Sequence, residues 1–145
     1  DRFPHLEEIV LRHSPISDRG AEEIVKLTEL RIVNLPHTEM TDVGVAKLAA
    51  LPKLELLRLG SRKLTDRALE VLRESSSLRF LHLIDVPISD RGLQSLQGWQ
   101  QLESLYLDGS QVSDRGVHLL LKTCPALHLH LDQHHHDLDP MKGHD

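Results

Sequence analysis

The chain repeats itself with a constant period of 24, and this period constrains its fold more than any other feature of the sequence. Two leucine columns and one aspartate column keep the step through five units. Their members are Leu6, Leu30, Leu54, Leu78 and Leu102; Leu11, Leu35, Leu59, Leu83, Leu107 and Leu131; and Asp18, Asp42, Asp66, Asp90 and Asp114. A period of roughly 20 to 50 residues is typical of a solenoid, in which each unit buries its apolar face against its neighbours.

One complete unit, residues 78–101, reads LRFLHLIDVPISDRGLQSLQGWQQ. Its apolar residues alternate at first, which predicts a strand with one buried face. Ser89 then stands where a helix N-cap is expected, and Asp90 falls in the first turn, where a negative charge favours the helix dipole. Leu93 and Leu96 predict the buried face of a short helix. Each unit is therefore predicted to contribute one strand and one helix.

Another column of the repeat holds only small residues, two positions after each aspartate. Its members are Gly20, Gly44, Ala68, Gly92 and Gly116. Glycine lowers helix propensity, so its recurrence near a helix start needs a spatial reason. We expect the small residue to let the helix backbone approach its neighbours.

With an L-x-x-L-x-L strand and an [ST]-D-x-[GA] helix start, the chain resembles leucine-rich repeat proteins over about residues 3–131. The helix start is similar to that of the bacterial and ribonuclease-inhibitor-like subclass with 24-residue repeats. The resemblance implies an α/β solenoid, a right-handed β–α superhelix with a curved parallel sheet on the concave face and helices on the convex face. The family's Asn or Cys position is held here by Ser14, Thr38, Arg62, Val86 and Ser110. No regular Asn or Cys ladder is therefore expected, although the hydroxyl groups are suited to bonding the turn.

The ends of the repeat pattern suggest how the chain is organised. FPHL at residues 3–6 matches LPKL at 51–54, so we expect further repeats or a cap upstream. CPALHLHL at 124–131 begins a sixth strand. Residues 1–132 are predicted to form the solenoid, with five full repeats and a final strand, and residues 133–145 a His/Asp-rich cap or tail.

Residues between the leucine columns are predicted to point to the concave face. There, neighbouring units bring together apolar, aromatic and charged side chains, which we call the concave patch. Its members are Leu56, Arg58, Phe80, His82, Ile84, Tyr106 and Asp108. Exposed aromatic residues with an arginine are typical of protein-binding surfaces, whereas the alternative is that such residues simply suit a pleated strand. The patch predicts a non-catalytic scaffold that binds a protein partner.

The stretch HLHLDQHHHDLDP at residues 128–140 contains five histidines. Strand alternation places His128, His130 and Asp132 on one side, and imidazole and carboxylate are suitable ligands for zinc. His134 and His136 follow and complete the predicted ligand set, which gives a metal-binding module as the alternative function. The spacing matches no standard zinc signature, so a polar cap with solvent-facing histidines is the competing interpretation.

Charge and composition argue against several other functions. The net charge of −5 does not favour nucleic acid, and the column Arg19, Arg67, Arg91 and Arg115, which could hold an anionic surface, is expected to be a solvated face. No apolar run is long enough to span a membrane, so membrane contact is expected only through a region outside this chain. The single cysteine excludes an internal disulfide and is expected to fill the core.

A hydrolase is a further alternative, because Ser104 and His128 should be neighbours with Asp108 or Asp132 close by. Such chemistry needs a pocket and an oxyanion hole, which an open sheet does not offer. We therefore predict no catalytic residue and no required cofactor.

Overall fold

The structure, a computed structural model, describes residues 5–13, 15–132 and 134–135. Within these residues, six strands alternate with five helices, and a short seventh strand follows. The strands are β1 (Glu8–Val10), β2 (Ile32–Leu35), β3 (Leu56–Gly60), β4 (Phe80–Ile84), β5 (Ser104–Asp108), β6 (His128–Leu131) and β7 (His134–His135). The helices are α1 (Asp18–Ile24), α2 (Asp42–Ala49), α3 (Arg67–Leu72), α4 (Asp90–Gln94) and α5 (Asp114–Thr123). None of these helices combines the length and apolar character that crossing a bilayer requires.

The strands form one open sheet and follow one another in chain order. Strands β1 to β6 are parallel, and each residue pairs with the equivalent residue of the next unit, as Leu57 does with Leu81. At the end of the sheet, β7 pairs antiparallel with β6 and places His135 opposite His130. The α/β solenoid with a parallel sheet, predicted from the columns, is confirmed.

The leucine columns form the core on the helix side of the sheet. In β3, Leu57 and Leu59 are fully buried, whereas Leu56 and Arg58 point to the other face and are half-buried. Leu96 is buried as predicted, although α4 ends before it and Leu96 packs from the following turn. Each fully buried leucine stabilises the fold by about 1.5–3 kcal/mol, so the repeated columns dominate its stability.

An aspartate ladder joins consecutive units. The carboxylate at each helix start accepts hydrogen bonds from the Ser or Thr that precedes the next helix, through both its backbone N–H and its hydroxyl. The pairs are Asp18–Thr41, Asp42–Thr65, Asp66–Ser89 and Asp90–Ser113, with N–H to carboxylate distances of 2.7–3.0 Å. The sequence indicated only a helix-dipole role for these aspartates, whereas their strongest contacts lie in the next unit.

The column of small residues makes room for this ladder. The backbone N–H of Gly44 donates to Asp18 Oδ1 at 3.1 Å, and a Cβ atom at Gly44 would collide with that carboxylate. The same collision would occur at Gly92 and Gly116 with the aspartate of the preceding unit. The expected close approach of the helix backbone to its neighbour is therefore confirmed at these positions, and the group that it approaches is the carboxylate at the preceding helix start.

A second ladder, which we call the Glu/Arg ladder, runs along the edge where the strands begin. Its members occupy equivalent positions of consecutive units and are Glu7, Arg31, Glu55, Arg79 and Glu103. Each arginine contacts the glutamates on both sides, with 3.3 Å from Arg31 Nη1 to Glu7 Oε1 and 3.6 Å from Arg79 Nη1 to Glu55 Oε1. Opposite charges therefore alternate along the sheet edge and neutralise one another.

Candidate interaction surface

The concave patch lies on the three central strands β3, β4 and β5, on the sheet face away from the helices. Leu56 pairs with Phe80 in one row, and Arg58, His82 and Tyr106 form the next row. All members of the patch are half-buried, while the leucines between them are buried in the core. The structure thus brings together the residues selected from the sequence, and their role in binding stays a prediction.

A shallow depression of about 250 Å³ opens between these two rows. Its lining residues are Leu56, Arg58, Phe80, Leu81, His82, Ser104 and Tyr106. Pockets for drug-sized ligands measure roughly 300–1,000 Å³ and enclose most of the ligand, so this depression is better matched to one or two side chains of a larger molecule. Ser104 was not selected as part of the patch, although its place in the row of Phe80 was the available signal.

Two polar contacts hold side chains of the patch in place. His82 Nε2 lies 2.7 Å from Asp108 Oδ2, and Arg58 Nη1 donates to Asn34 Oδ1 at 3.2 Å. Both contacts join neighbouring strands, as expected for side chains that are close together on one face of the sheet. Asn34 was not selected from the sequence, although it shares the row of Arg58.

Tyr106 is the centre of an aromatic cluster that extends the patch to β6. Its ring stacks on His130, with centroids 4.4 Å apart and planes 13° apart, and is tilted towards His82 and His128 at 5.4 and 5.8 Å. His130 is only 2% exposed. The interpretation of His128 and His130 as simple solvent-facing residues is therefore wrong for His130, because the stacked tyrosine covers it.

A family model described as Leucine Rich repeat matches residues 4–25, the segment that contains β1 and α1. The same succession of strand and helix recurs along the sheet with a constant register. The chain therefore has the architecture of a leucine-rich repeat solenoid. Leucine-rich repeat proteins are generally non-enzymatic scaffolds that bind protein partners. No curated protein matches the chain.

The predicted metal ligands are only partly described. The rings of His128 and His130 lie close together, with centroids 4.6 Å apart. Asp132 Oδ1 accepts a hydrogen bond from the backbone N–H of Gly109, which follows β5. Among the described residues, no group of three or more His, Cys, Asp or Glu side chains is arranged to hold a metal ion. The His134 side chain and all of His136 lie outside the described residues, so the metal site stays a prediction.

The remaining candidate residues occupy ordinary positions. Cys124 and Trp99 are buried in the core, as expected for residues that fill apolar positions. Asp108, one of the acids considered for a hydrolase, is hydrogen-bonded with His82 on the neighbouring strand. The arginine column at the helix starts is exposed, as expected for a solvated face.

Proposed function

We propose that this leucine-rich repeat protein is a non-catalytic scaffold that recognises a protein partner through the concave patch. The observation that carries the proposal is the placement of Leu56, Phe80 and Tyr106 on an open sheet face, where each is only half-buried. Apolar and aromatic surface of this kind is stabilised when a partner removes it from water. The strands beneath are tied by parallel ladders, so the side chains are presented in fixed relative positions.

The shape of the patch supports a macromolecular partner over a small ligand. The depression is shallow and smaller than typical small-molecule pockets, and it continues into the aromatic cluster around Tyr106. A surface that spans several strands is suited to contacts with many partner residues, of which a few contribute most of the binding energy.

A site-specific photo-crosslink tests the proposal. A benzoylphenylalanine placed at Ile84, at the border of the patch, is expected to form adducts with a polypeptide in an extract of the source cells. The same group at Val43, which is 60% exposed on α2, is the control for non-specific contacts. The expected adducts depend on the patch, so the Phe80→Ser/Tyr106→Ala double variant should abolish them. Equal adducts from Ile84 and Val43, or adducts that persist in the double variant, would contradict the proposal.

We propose zinc binding by the C-terminal histidines as a second candidate function. The observation that favours it is the close approach of the His128 and His130 rings on β6. Neutral imidazoles at this spacing are suitable zinc ligands, provided that further ligands come from Asp132, His134 or His136.

A calorimetric zinc titration of the chelator-treated chain tests this second candidate. A one-to-one, submicromolar isotherm that is lost in His128→Ala/His130→Ala would support it. His118→Ala, an exposed histidine of α5, is the matched control and should bind like the native chain. Weak binding of several ions in all three proteins would contradict a specific site.

We also propose that the repeats belong to the bacterial and ribonuclease-inhibitor-like subclass. The constant register offset between strands and the helices that begin at Asp18, Asp42 and Asp90 support this assignment. Sequences of close relatives test it: a conserved [ST]-D-x-[GA] start at the same period is expected, and a different period would contradict it.

A further inference from the structure

Arg58 differs from the arginines of the strand edge in its charge balance. Arg31 and Arg79 each contact two glutamates of the Glu/Arg ladder. Arg58 instead donates to the neutral amide oxygen of Asn34, and no carboxylate of the described residues forms an ion pair with it. The patch therefore presents a positive charge that is held in position by a neutral residue.

Arg58 bonds a neutral amide although the concave patch also contains a carboxylate. Asp108 belongs to the same patch, but its Oδ2 atom lies 2.7 Å from His82 Nε2. His82 stands between the arginine and this acid, since Arg58 pairs in register with His82 on β4. The intervening histidine engages the acid and leaves the guanidinium without a carboxylate partner in the part of the chain that the structure describes.

An apolar surface lies directly beside this charge. Leu56 precedes Arg58 by two positions on the same strand, which corresponds to about 7 Å, and Phe80 is the register partner of Leu56. Arg58, Leu56 and Phe80 line the same depression. A cation therefore borders a cavity suited to an apolar side chain.

We propose that the partner presents a large apolar side chain and, beside it, a carboxylate at the distance that separates Leu56 from Arg58. The apolar group would occupy the depression over Leu56, Phe80 and Tyr106, and the carboxylate would pair with Arg58. In the partner, this spacing corresponds to an acidic residue one or two positions from the apolar residue in an extended segment, or three or four positions from it on a helix. This inference rests on the proposed binding function of the patch and specifies the chemistry of the segment it recognises.

An acidic peptide segment fits these residues better than a nucleic acid phosphate. The depression is lined mainly by apolar and aromatic groups, whereas phosphate backbones are bound by several cations along a groove. A half-buried arginine also forms a stronger ion pair than a fully solvated one, because water screens it less, and its planar guanidinium is suited to a carboxylate.

Selection from a phage-displayed library of random peptides tests the inference. The baits are the native chain, Arg58→Gln, Arg91→Gln and the Phe80→Ser/Tyr106→Ala double variant, each checked for folding by circular dichroism. Arg91 is the matched control, since it is an exposed arginine outside the patch and its replacement removes the same charge. Arg58→Lys is included because it keeps the charge and should preserve the preference for acid.

The native chain and Arg91→Gln are expected to enrich peptides with a large apolar residue and an Asp or Glu within four positions. A synthetic peptide of that sequence should bind Arg58→Gln about tenfold more weakly, and the peptide with Asn or Gln in place of the acid should bind both proteins equally weakly. If the native chain selects apolar peptides without an excess of acidic residues, the inference is overturned and the proposed function stands. The same holds if the peptides selected by Arg58→Gln keep that excess. Enrichment of the same peptides by the double variant, or of none by the native chain, would overturn both.

Discussion

Asp66 accepts two hydrogen bonds from Ser89 of the following unit, at 2.8 Å from the backbone N–H to Oδ1 and at 2.5 Å from the hydroxyl to Oδ2. Ser89 in turn accepts from the backbone N–H of Arg91 and so caps α4. One carboxylate therefore positions the residue that begins the next helix. This relationship connects the solenoid units on the helix side, as the parallel ladders connect them on the sheet side.

Replacement of Asp66 by alanine is expected to destabilise the chain by about 1–3 kcal/mol, because two charge-assisted hydrogen bonds are lost. Urea denaturation followed by circular dichroism measures the change. Asp114→Ala is the matched control: this aspartate also begins a helix, but among the described residues no Ser or Thr of a later unit donates to it. A loss for Asp114→Ala as large as for Asp66→Ala would attribute the effect to the helix dipole alone.

The aspartate ladder should also make the folded state less stable at acid pH. Hydrogen bonds from the Ser113 side chain and backbone lower the pKa of Asp90 below its ordinary value of 3.8. A lowered pKa in the folded state stabilises the fold above the unfolded pKa, and this contribution is lost as the pH falls through the folded value. Denaturation of the native chain and of Asp90→Asn, from neutral pH to about pH 3, should therefore show a difference that shrinks in acid. A difference that stays constant over this range would show that ionisation of Asp90 is not involved.

Gly116→Ala is expected to destabilise α5, although alanine normally favours a helix over glycine by about 1 kcal/mol. The reason is that the new Cβ would collide with the Asp90 carboxylate and displace it from Ser113. Thermal unfolding gives the sign of the change. The reverse substitution Ala68→Gly, in the same column, serves as the comparison and should also destabilise, through lower helix propensity and the loss of a buried methyl group. A stabilised Gly116→Ala would contradict the spatial role of the column.

Glu55→Gln is expected to reduce stability less than Asp66→Ala does, although Glu55 contacts both Arg31 and Arg79. These ion pairs are exposed to solvent, so water and salt screen them and ordering of the long side chains opposes the gain. Urea denaturation at low and high salt measures the difference, which should diminish further at high salt. A loss equal to that of Asp66→Ala at both salt concentrations would assign the Glu/Arg ladder a structural role comparable to the aspartate ladder.

The sheet was predictable because its register depends on local information. The constant period places Leu57 beside Leu81 in any solenoid, and strand alternation then decides which side chains reach the concave face. The members of the concave patch and the stacking of Tyr106 on His130 follow from that geometry. The C-terminal edge was less predictable, because the antiparallel strand β7 has no counterpart in the repeat.

The contacts between units were harder to predict because they depend on how consecutive helices are placed relative to one another. The aspartate column was visible in the sequence, but its partner stands one position before the next column member, as Ser89 does for Asp66. Only the offset between consecutive helices brings the two together. The Glu/Arg ladder was missed for a simpler reason: its members alternate between glutamate and arginine, so a search for one residue type at every repeat does not detect the column.

The aspartate ladder gives the array a direction. From the first unit to the fourth, the carboxylate at the helix start bonds the unit that follows, as Asp42 bonds Thr65. A cut between units therefore leaves two unequal ends, since a carboxylate on one side is readily solvated while a helix start on the other loses its acceptor. Gene duplication or protein engineering can lengthen such an array by whole repeat units without disturbing this order. An inserted unit that lacks the aspartate would weaken the helix after it and leave the one before it intact.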